Sequence, residues 1–152
     1  MIVRVKASPV LDAIKMSMSG NDHFALQNLL GVFGERGINI CLGVEIKNKE
    51  DVMNITLCFN PKETDYVTTF IREHYPTLSF SMIKSVRIIS VFPFRDNAEV
   101  AFQFIKTLED NAVPVLALST SLSSISCLVP QVYCSIAVES LETTFNISNK
   151  NS

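Results

Sequence analysis

Two short polar stretches carry the residues best suited to chemistry: Ser19–Phe24, reading SGNDHF, and Phe94–Asn97, reading FRDN. Each stands directly before a run of helical periodicity. Asn21, Asp22 and the Arg95-Asp96-Asn97 triplet therefore read first as turn and helix-cap residues, whose side-chain oxygens satisfy free helix amides. Arg95 beside Asp96 also offers the two opposite charges that would neutralise a zwitterion. His23 is a lone loop histidine, and His74 is the other histidine, too far along the chain to suggest a shared metal site. Ser119, Thr120 and Ser121 have the composition of a turn. No nucleophile–base pair, glycine-rich phosphate loop or metal-ligand spacing is visible. Catalysis has no candidate residue, and no cofactor or metal is expected.

The chain has 152 residues, 47 % apolar and 18 % charged, with a net charge of −2. That length fits one medium domain or two small ones. The charge is low for a surface facing only water, so buried interfaces are expected. With no basic block, a nucleic-acid partner is excluded. The N-terminus mixes charges into its apolar run and is no signal peptide, which points to a cytoplasmic protein. Cys41, Cys58, Cys127 and Cys134 show no close paired spacing. They read as small buried hydrophobes, with a redox role as the alternative.

The segment Asn111–Val138 contains no charged side chain. A membrane helix needs about 20 apolar residues in a row. Here the polar STSLSS centre interrupts the run, and Pro114 and Pro130 bracket it. Two strands joined by a serine-rich turn fit better, and a hairpin without charge on either face is expected to be covered.

The elements that would position these stretches repeat. A strand over Ala13–Ser19 is followed by a helix with Leu26, Leu29, Leu30 and Phe33 on one face, ended by Gly34 and Gly37. Ile38–Lys47 alternates, as does Met53–Phe59, across the turn NKED. Asn60-Pro61-Lys62-Glu63 resembles a capping box before a helix that turns Tyr66, Val67, Phe70 and Ile71 inward. Leu78–Met82 is a further strand. The order then recurs: a strand at Val86–Phe92, then a helix from about Asp96 to Asn111 burying Ala101, Phe104, Ile105 and Leu108. After it come the uncharged hairpin and a last helix past Pro130, burying Ile136, Ala137, Leu141 and either Val132 or Tyr133.

Two βαββαβ units imply an α+β protein with two ferredoxin-like antiparallel sheets, helices on one face of each. The second unit lacks its last strand, and Ile2–Lys6 supplies a spare one. The expected domains are therefore 9–84, and 1–8 with 85–147, followed by a frayed tail over 148–152.

Val91–Phe102 (VFPFRDNAEVAF) resembles the first loop and helix start of the C-terminal ACT domain of aspartokinases, of the form VGxGMxxxPGVAA. Val113–Ser121 (VPVLALSTS) resembles INIxMISTS, and Ser124–Pro130 and Ser135–Phe145 resemble the strand and helix that follow. Glu35–Ile40 (ERGINI) is similar to EAGINV of the preceding ACT domain. The resemblance covers nearly the whole chain and leaves no room for the kinase domain. It implies the same interleaved N-terminal strand, and an amino-acid effector at an interface between paired ACT domains. The positions it implies are Gly20, Asn21, Asp22, His23 and Phe24 in the first loop, Val44 and Glu45 on the second strand, and Phe94, Arg95, Asp96, Asn97, Ser119 and Thr120 in the second unit. A helix N-terminus would take the carboxylate and loop acceptors the ammonium.

The chain departs from the family at these places. The second unit's loop glycines fall on Val91 and Pro93, and its PG pair on Ala98-Glu99. In the first unit the loop aspartate falls on Asn21, the PG pair on His23-Phe24, and the strand glutamine on Glu45. Glycine allows close backbone approach to a ligand, so its loss points to an altered site. The leading expectation is a non-catalytic, homodimeric regulatory protein that binds an amino acid. The alternative is a docking module with a decayed effector site, acting on an enzyme of amino-acid metabolism. A ferredoxin-like hydrolase would need an arginine and an asparagine converging on phosphate, and no such pair is evident.

Overall fold

The computed structural model describes residues 3–19, 23–41, 43–47 and 52–150, with side chains for all of these except 23, 43–47 and 147–150. In chain order the elements are β1 (Arg4–Ala7), β2 (Leu11–Met18), α1 (His23–Arg36), β3 (Gly43–Lys47), β4 (Met53–Phe59), α2 (Thr64–His74), β5 (Ser79–Phe92), α3 (Ala98–Asp110), β6 (Ala117–Thr120), β7 (Ile125–Pro130) and α4 (Cys134–Lys150). The chain divides into two units, Val10–Ser85 and Met1–Pro9 with Val86–Ser152.

In the first unit the strand order is β3-β4-β2-β5, with β2 and β3 each antiparallel to β4. Ile14, Met16 and Met18 on β2 and Met53, Ile55, Leu57 and Phe59 on β4 form one core with Ala25, Leu29 and Phe33 of α1 and Val67 and Ile71 of α2. Both helices thus cover the same sheet face. Phe33 and Phe59 meet edge to face at 6.3 Å, a pairing worth about 1 kcal/mol beyond area burial. Along α1 the buried row is Ala25, Leu29 and Phe33, with Leu26 partly buried. Leu30, expected inward, is exposed, because the sheet sees only the i, i+4, i+8 ridge.

Gly37 has φ 68°, and the Ile38 N–H bonds the Phe33 carbonyl at 2.8 Å. This left-handed exit consumes Ile38–Ile40, so β3 begins only at Gly43, later than the alternation suggests. Ile38 is buried against the core as the helix leaves, while Ile40 and Cys41 are exposed; the thiol of Cys41 is no core hydrophobe.

In the second unit the order is β6-β7-β5-β1, the same permutation of strand positions as in the first. The N-terminal strand completes this sheet, pairing antiparallel with β5 from Arg4 opposite Phe92 to Ala7 opposite Ile89. Ser8 fastens its end: the Ser8 N–H donates to the Ile88 carbonyl at 2.8 Å, and the Ile88 N–H to the Ser8 hydroxyl at 2.9 Å. The core gathers Ile89, Val91, Ile125, Cys127 and Val129 from the sheet, with Val100, Phe104 and Leu108 from α3 and Ala137, Leu141 and Phe145 from α4. Val3 and Val5 pack against it.

Leu78–Met82 and Val86–Phe92 are not separate strands; β5 runs through both. No glycine, proline, asparagine or aspartate lies between Ile83 and Ser85 to stop it, and the break is instead a single left-handed residue, Ser85, at φ 59°. α3 starts at Ala98, two residues late, since Arg95 and Asp96 have φ 49° and 52° and cannot be helical. Val100 and Thr107 are buried on it, and Ala101 and Ile105 only partly.

On α4 the buried face is Cys134, Ala137, Leu141 and Phe145, so Ile136 is exposed, as is Val132 before it; Tyr133 is the one of that pair against the core. Phe145 ties down the last turns, and the helix continues to Lys150, beyond the expected end at 147.

Candidate functional site

The two loops between the first strand and first helix of each unit are the places to look. In the second unit the loop is described completely. Phe92-Pro93 is a cis peptide, after which Phe94 turns its ring into the core. Arg95 and Asp96 then form a tight turn closed by the Asn97 N–H on the Phe94 carbonyl at 3.0 Å. Asn97 caps α3, its Oδ1 accepting from the Glu99 N–H at 2.9 Å. The loop is sewn to the tip of the hairpin: the Phe94 N–H donates to the Ser123 carbonyl at 2.9 Å and the Arg95 N–H to the Leu122 carbonyl at 3.0 Å.

The tip is itself organised by Ser121, whose hydroxyl accepts from the Ser124 N–H at 3.1 Å. Ser119 is half-buried opposite Ser126, and Thr120 is exposed opposite Ile125. The structure therefore brings Phe94–Asn97 together with the serine-rich turn. Four of the amides a carboxylate would use there, those of Phe94, Arg95, Asn97 and Glu99, already have partners, while the side chains of Arg95 and Asp96 stay open to solvent.

In the first unit Gly20, Asn21 and Asp22 lie outside the described residues, as does the side chain of His23, the first residue of α1. Phe24 is 76 % exposed. Val44 and Glu45 stand on β3 opposite Thr56 and Ile55, with side chains outside the described residues.

The uncharged segment separates into two parts. β7 is buried on both faces, at Ile125, Cys127, Leu128 and Val129, which accounts for the missing charges there. Over the rest the described residues leave the expected cover missing: Val115 and Leu118 are exposed, and Leu122 at the tip is 79 % exposed.

Burial pushes the Cys58 thiol up from an ordinary 9.0 to about 12, helped by the neighbouring Cys41. Cys127 likewise rises to about 12, chiefly through burial, with the backbone of Ile89 pulling the other way. Both are poor nucleophiles as they stand. The hydroxyl–carboxylate pair of Thr64 and Asp12 is sealed from solvent. Among the described residues no three His, Cys, Asp or Glu side chains cluster as metal ligands, and no helix is long and apolar enough to cross a membrane.

A polar depression of about 380 Å³, lined by Asn111, Glu139, Ser140, Thr143 and Thr144, was not anticipated. Its residues come from the end of α3 and the middle of α4. The i, i+3, i+4 spacing of the α4 hydroxyls was its only mark in the sequence.

Fold and loops together define a tandem arrangement of ferredoxin-like βαββαβ units. Residues 94–145 match the family model described as ACT domain. The whole chain resembles the regulatory region of aspartate kinases in fold. The regulatory subunit of aspartate kinase from Thermus thermophilus, in a ligand-free form, superposes with a TM-score of 0.82 at 12 % identity, covering 93 % of this chain and 97 % of that one. Aspartate kinase from Synechocystis gives 0.80 at 17 %, covering 93 % of this chain but 26 % of its own. Aspartokinase III from E. coli, in complex with lysine and aspartate, gives 0.67 at 14 %, covering 93 % and 32 %. At such identities the likeness is one of fold. No curated protein matches the chain in sequence.

Proposed function

We propose that the chain is a non-catalytic regulatory protein of the cytosol that senses a free amino acid through its first ACT unit and acts as a homodimer. The observation that carries this is the double βαββαβ arrangement shared with aspartate-kinase regulatory subunits over nearly the full length of both chains. The site would form where Ser19–Phe24 meets the second strand of a neighbouring ACT unit, at positions such as Val44 and Glu45. Backbone donors at the start of α1 would take the carboxylate, and Asn21 or Asp22 the ammonium. The second unit's loop is the poorer host, because its amides are committed to the hairpin tip and its Phe94 to the core. Arg95, Asp96, Asn97, Ser119 and Thr120 then serve that fold rather than a ligand.

A thermal-shift panel of the proteinogenic amino acids at millimolar concentration tests this. A ligand bound only by the folded state stabilises it by about 2.7 kcal/mol at a hundredfold excess over Kd. One amino acid should raise Tm, and Asp22→Ala should abolish the rise.

The loss of loop glycines and the exposure of Leu118, Leu122 and Val132 favour a second reading, a docking module for an enzyme of amino-acid metabolism. No shift with any amino acid would leave that reading standing.

A further inference from the structure

β5 crosses from the first unit into the second between Ser85 and Val86. Ser85 is held in the left-handed region at φ 59°, where the Cβ of any residue but glycine is disfavoured. In the middle of a long strand this conformation needs support, and the support comes from one carboxylate. Asp12, on β2, is 6 % exposed, and its Oδ1 accepts the Ser85 N–H at 3.0 Å. Its Oδ2 accepts the hydroxyl of Thr64 at 2.5 Å, and Thr64, also 6 % exposed, is the first residue of α2. The carboxylate therefore meets the start of α2 through the Thr64 hydroxyl, directly after the Pro61–Glu63 turn that Asn60 caps.

We propose that Asp12, Thr64 and Ser85 form a conformational latch in which the first turn of α2 controls the backbone state of residue 85. While Thr64 donates, Asp12 is oriented to receive the Ser85 amide, and the left-handed conformation is maintained. If the start of α2 shifts, the carboxylate loses the donor that fixes it and turns away. The Ser85 amide, on an exposed residue, then loses the acceptor that offsets the left-handed strain, and extended backbone becomes the better state for residue 85. Two discrete backbone states, biased by a helix that a ligand or partner could displace, are the physical requirement for coupling along a chain. The latch needs no particular ligand, and it stands or falls separately from amino-acid sensing.

Amide hydrogen exchange by NMR on the full chain tests it, read as protection factors. Thr64→Val removes the hydroxyl at nearly constant shape and does not touch Ser85 directly. The Ser85 protection factor should fall about tenfold, the loss of one hydrogen bond's worth of restraint, while those of Ile14 and Ile89 in the two cores hold. Thr64→Ser, which keeps the hydroxyl, should restore it. Ser85→Gly, free of the steric penalty, should raise protection at residue 85 several-fold, and it remains decisive should Thr64→Val not fold. Unchanged protection at Ser85 in Thr64→Val, a fall matched by Ile14, or no gain in Ser85→Gly would each overturn the latch.

Discussion

The two units repeat one topology but close their sheets differently. In the first, the fourth strand is the early part of β5, reached directly from α2. In the second, it is β1, four residues from the other end of the chain. β1 carries exposed Arg4 and Lys6, with the Lys6 ammonium 5.5 Å from the Phe92 ring, and its Val5 packs against the core together with Val3 just before it. The same fold is thus held by chain continuity in one unit and by a detachable strand in the other. The loops differ as well. The second unit's loop is tied to its hairpin and capped by Asn97, whereas SGNDHF keeps Gly20 two residues before its acidic Asp22.

The sharpest break of that comparison is removal of residues 1–6. The second unit should unfold preferentially, since β5 would be left with an unpaired edge and the core without Val3 and Val5. Native-state thiol labelling reads this directly: Cys127 should become reactive while Cys58 stays protected. A truncated protein with an unchanged thermal midpoint would show that β1 contributes nothing essential.

Next in size are core truncations. Phe33 and Phe104 are fully buried, one in each unit, and replacing either by alanine should cost about 3–5 kcal/mol. If the units unfold independently, Phe104→Ala exposes Cys127 first and Phe33→Ala exposes Cys58 first. If they unfold together, the labelling orders will not differ. Denaturant titration followed by cysteine labelling separates the cases.

The same two thiols give an alkaline signature, one per unit. Each is pushed up from 9.0 to about 12 in the folded protein. Folded thiols therefore keep protons that unfolded ones release, so their contribution is complete below pH 9 and is lost as pH rises toward 12. Tm measured from pH 8 to 11 should fall across that window, and Cys58→Ala and Cys127→Ala should each flatten the slope. A slope indifferent to both substitutions would assign the alkaline loss to other groups.

What the sequence disclosed follows from where the physics is local. The inward strand residues Met53, Ile55, Leu57 and Phe59 are legible because period two is a property of the strand itself. The spare N-terminal strand is legible because a βαββαβ count leaves one sheet short. The phase of α4 is not, since Val132, Ile136 and Ala137 are all apolar, and only the position of Phe145 against the core decides which face goes in. The break at Ser85 carries no glycine or proline to announce it; Asp12 and Thr64, distant in sequence, make it. Of the candidate site, the second loop's polar residues were visible, but the amides it spends on Leu122 and Ser123 depend on a hairpin tip far along the chain, with Arg95 bonded to Leu122 and Phe94 to Ser123. The polar depression beside Asn111 shows in the sequence only as the spacing of the α4 hydroxyls, for the same reason, as its lining comes from two places distant in the chain.

The smallest effect bears most directly on which loop holds a ligand. Asn97 accepts the Glu99 N–H at 2.9 Å, so Asn97→Ala should destabilise the second unit by about 1 kcal/mol, while Asn97→Ser, which can still cap, should recover most of that. If an amino acid binds at the first unit's loop, the Tm rise it produces should be the same in wild type, Asn97→Ala and Asn97→Ser, each measured from its own ligand-free midpoint. A cap residue changes the baseline but leaves the binding increment alone, because that increment depends only on ligand concentration and Kd. Were Asn97 instead a contact for the ligand, its amide would be in use, and both variants would shrink the increment irrespective of how well they cap. Equal increments with unequal baselines assign Asn97 to the fold and leave SGNDHF as the binding loop.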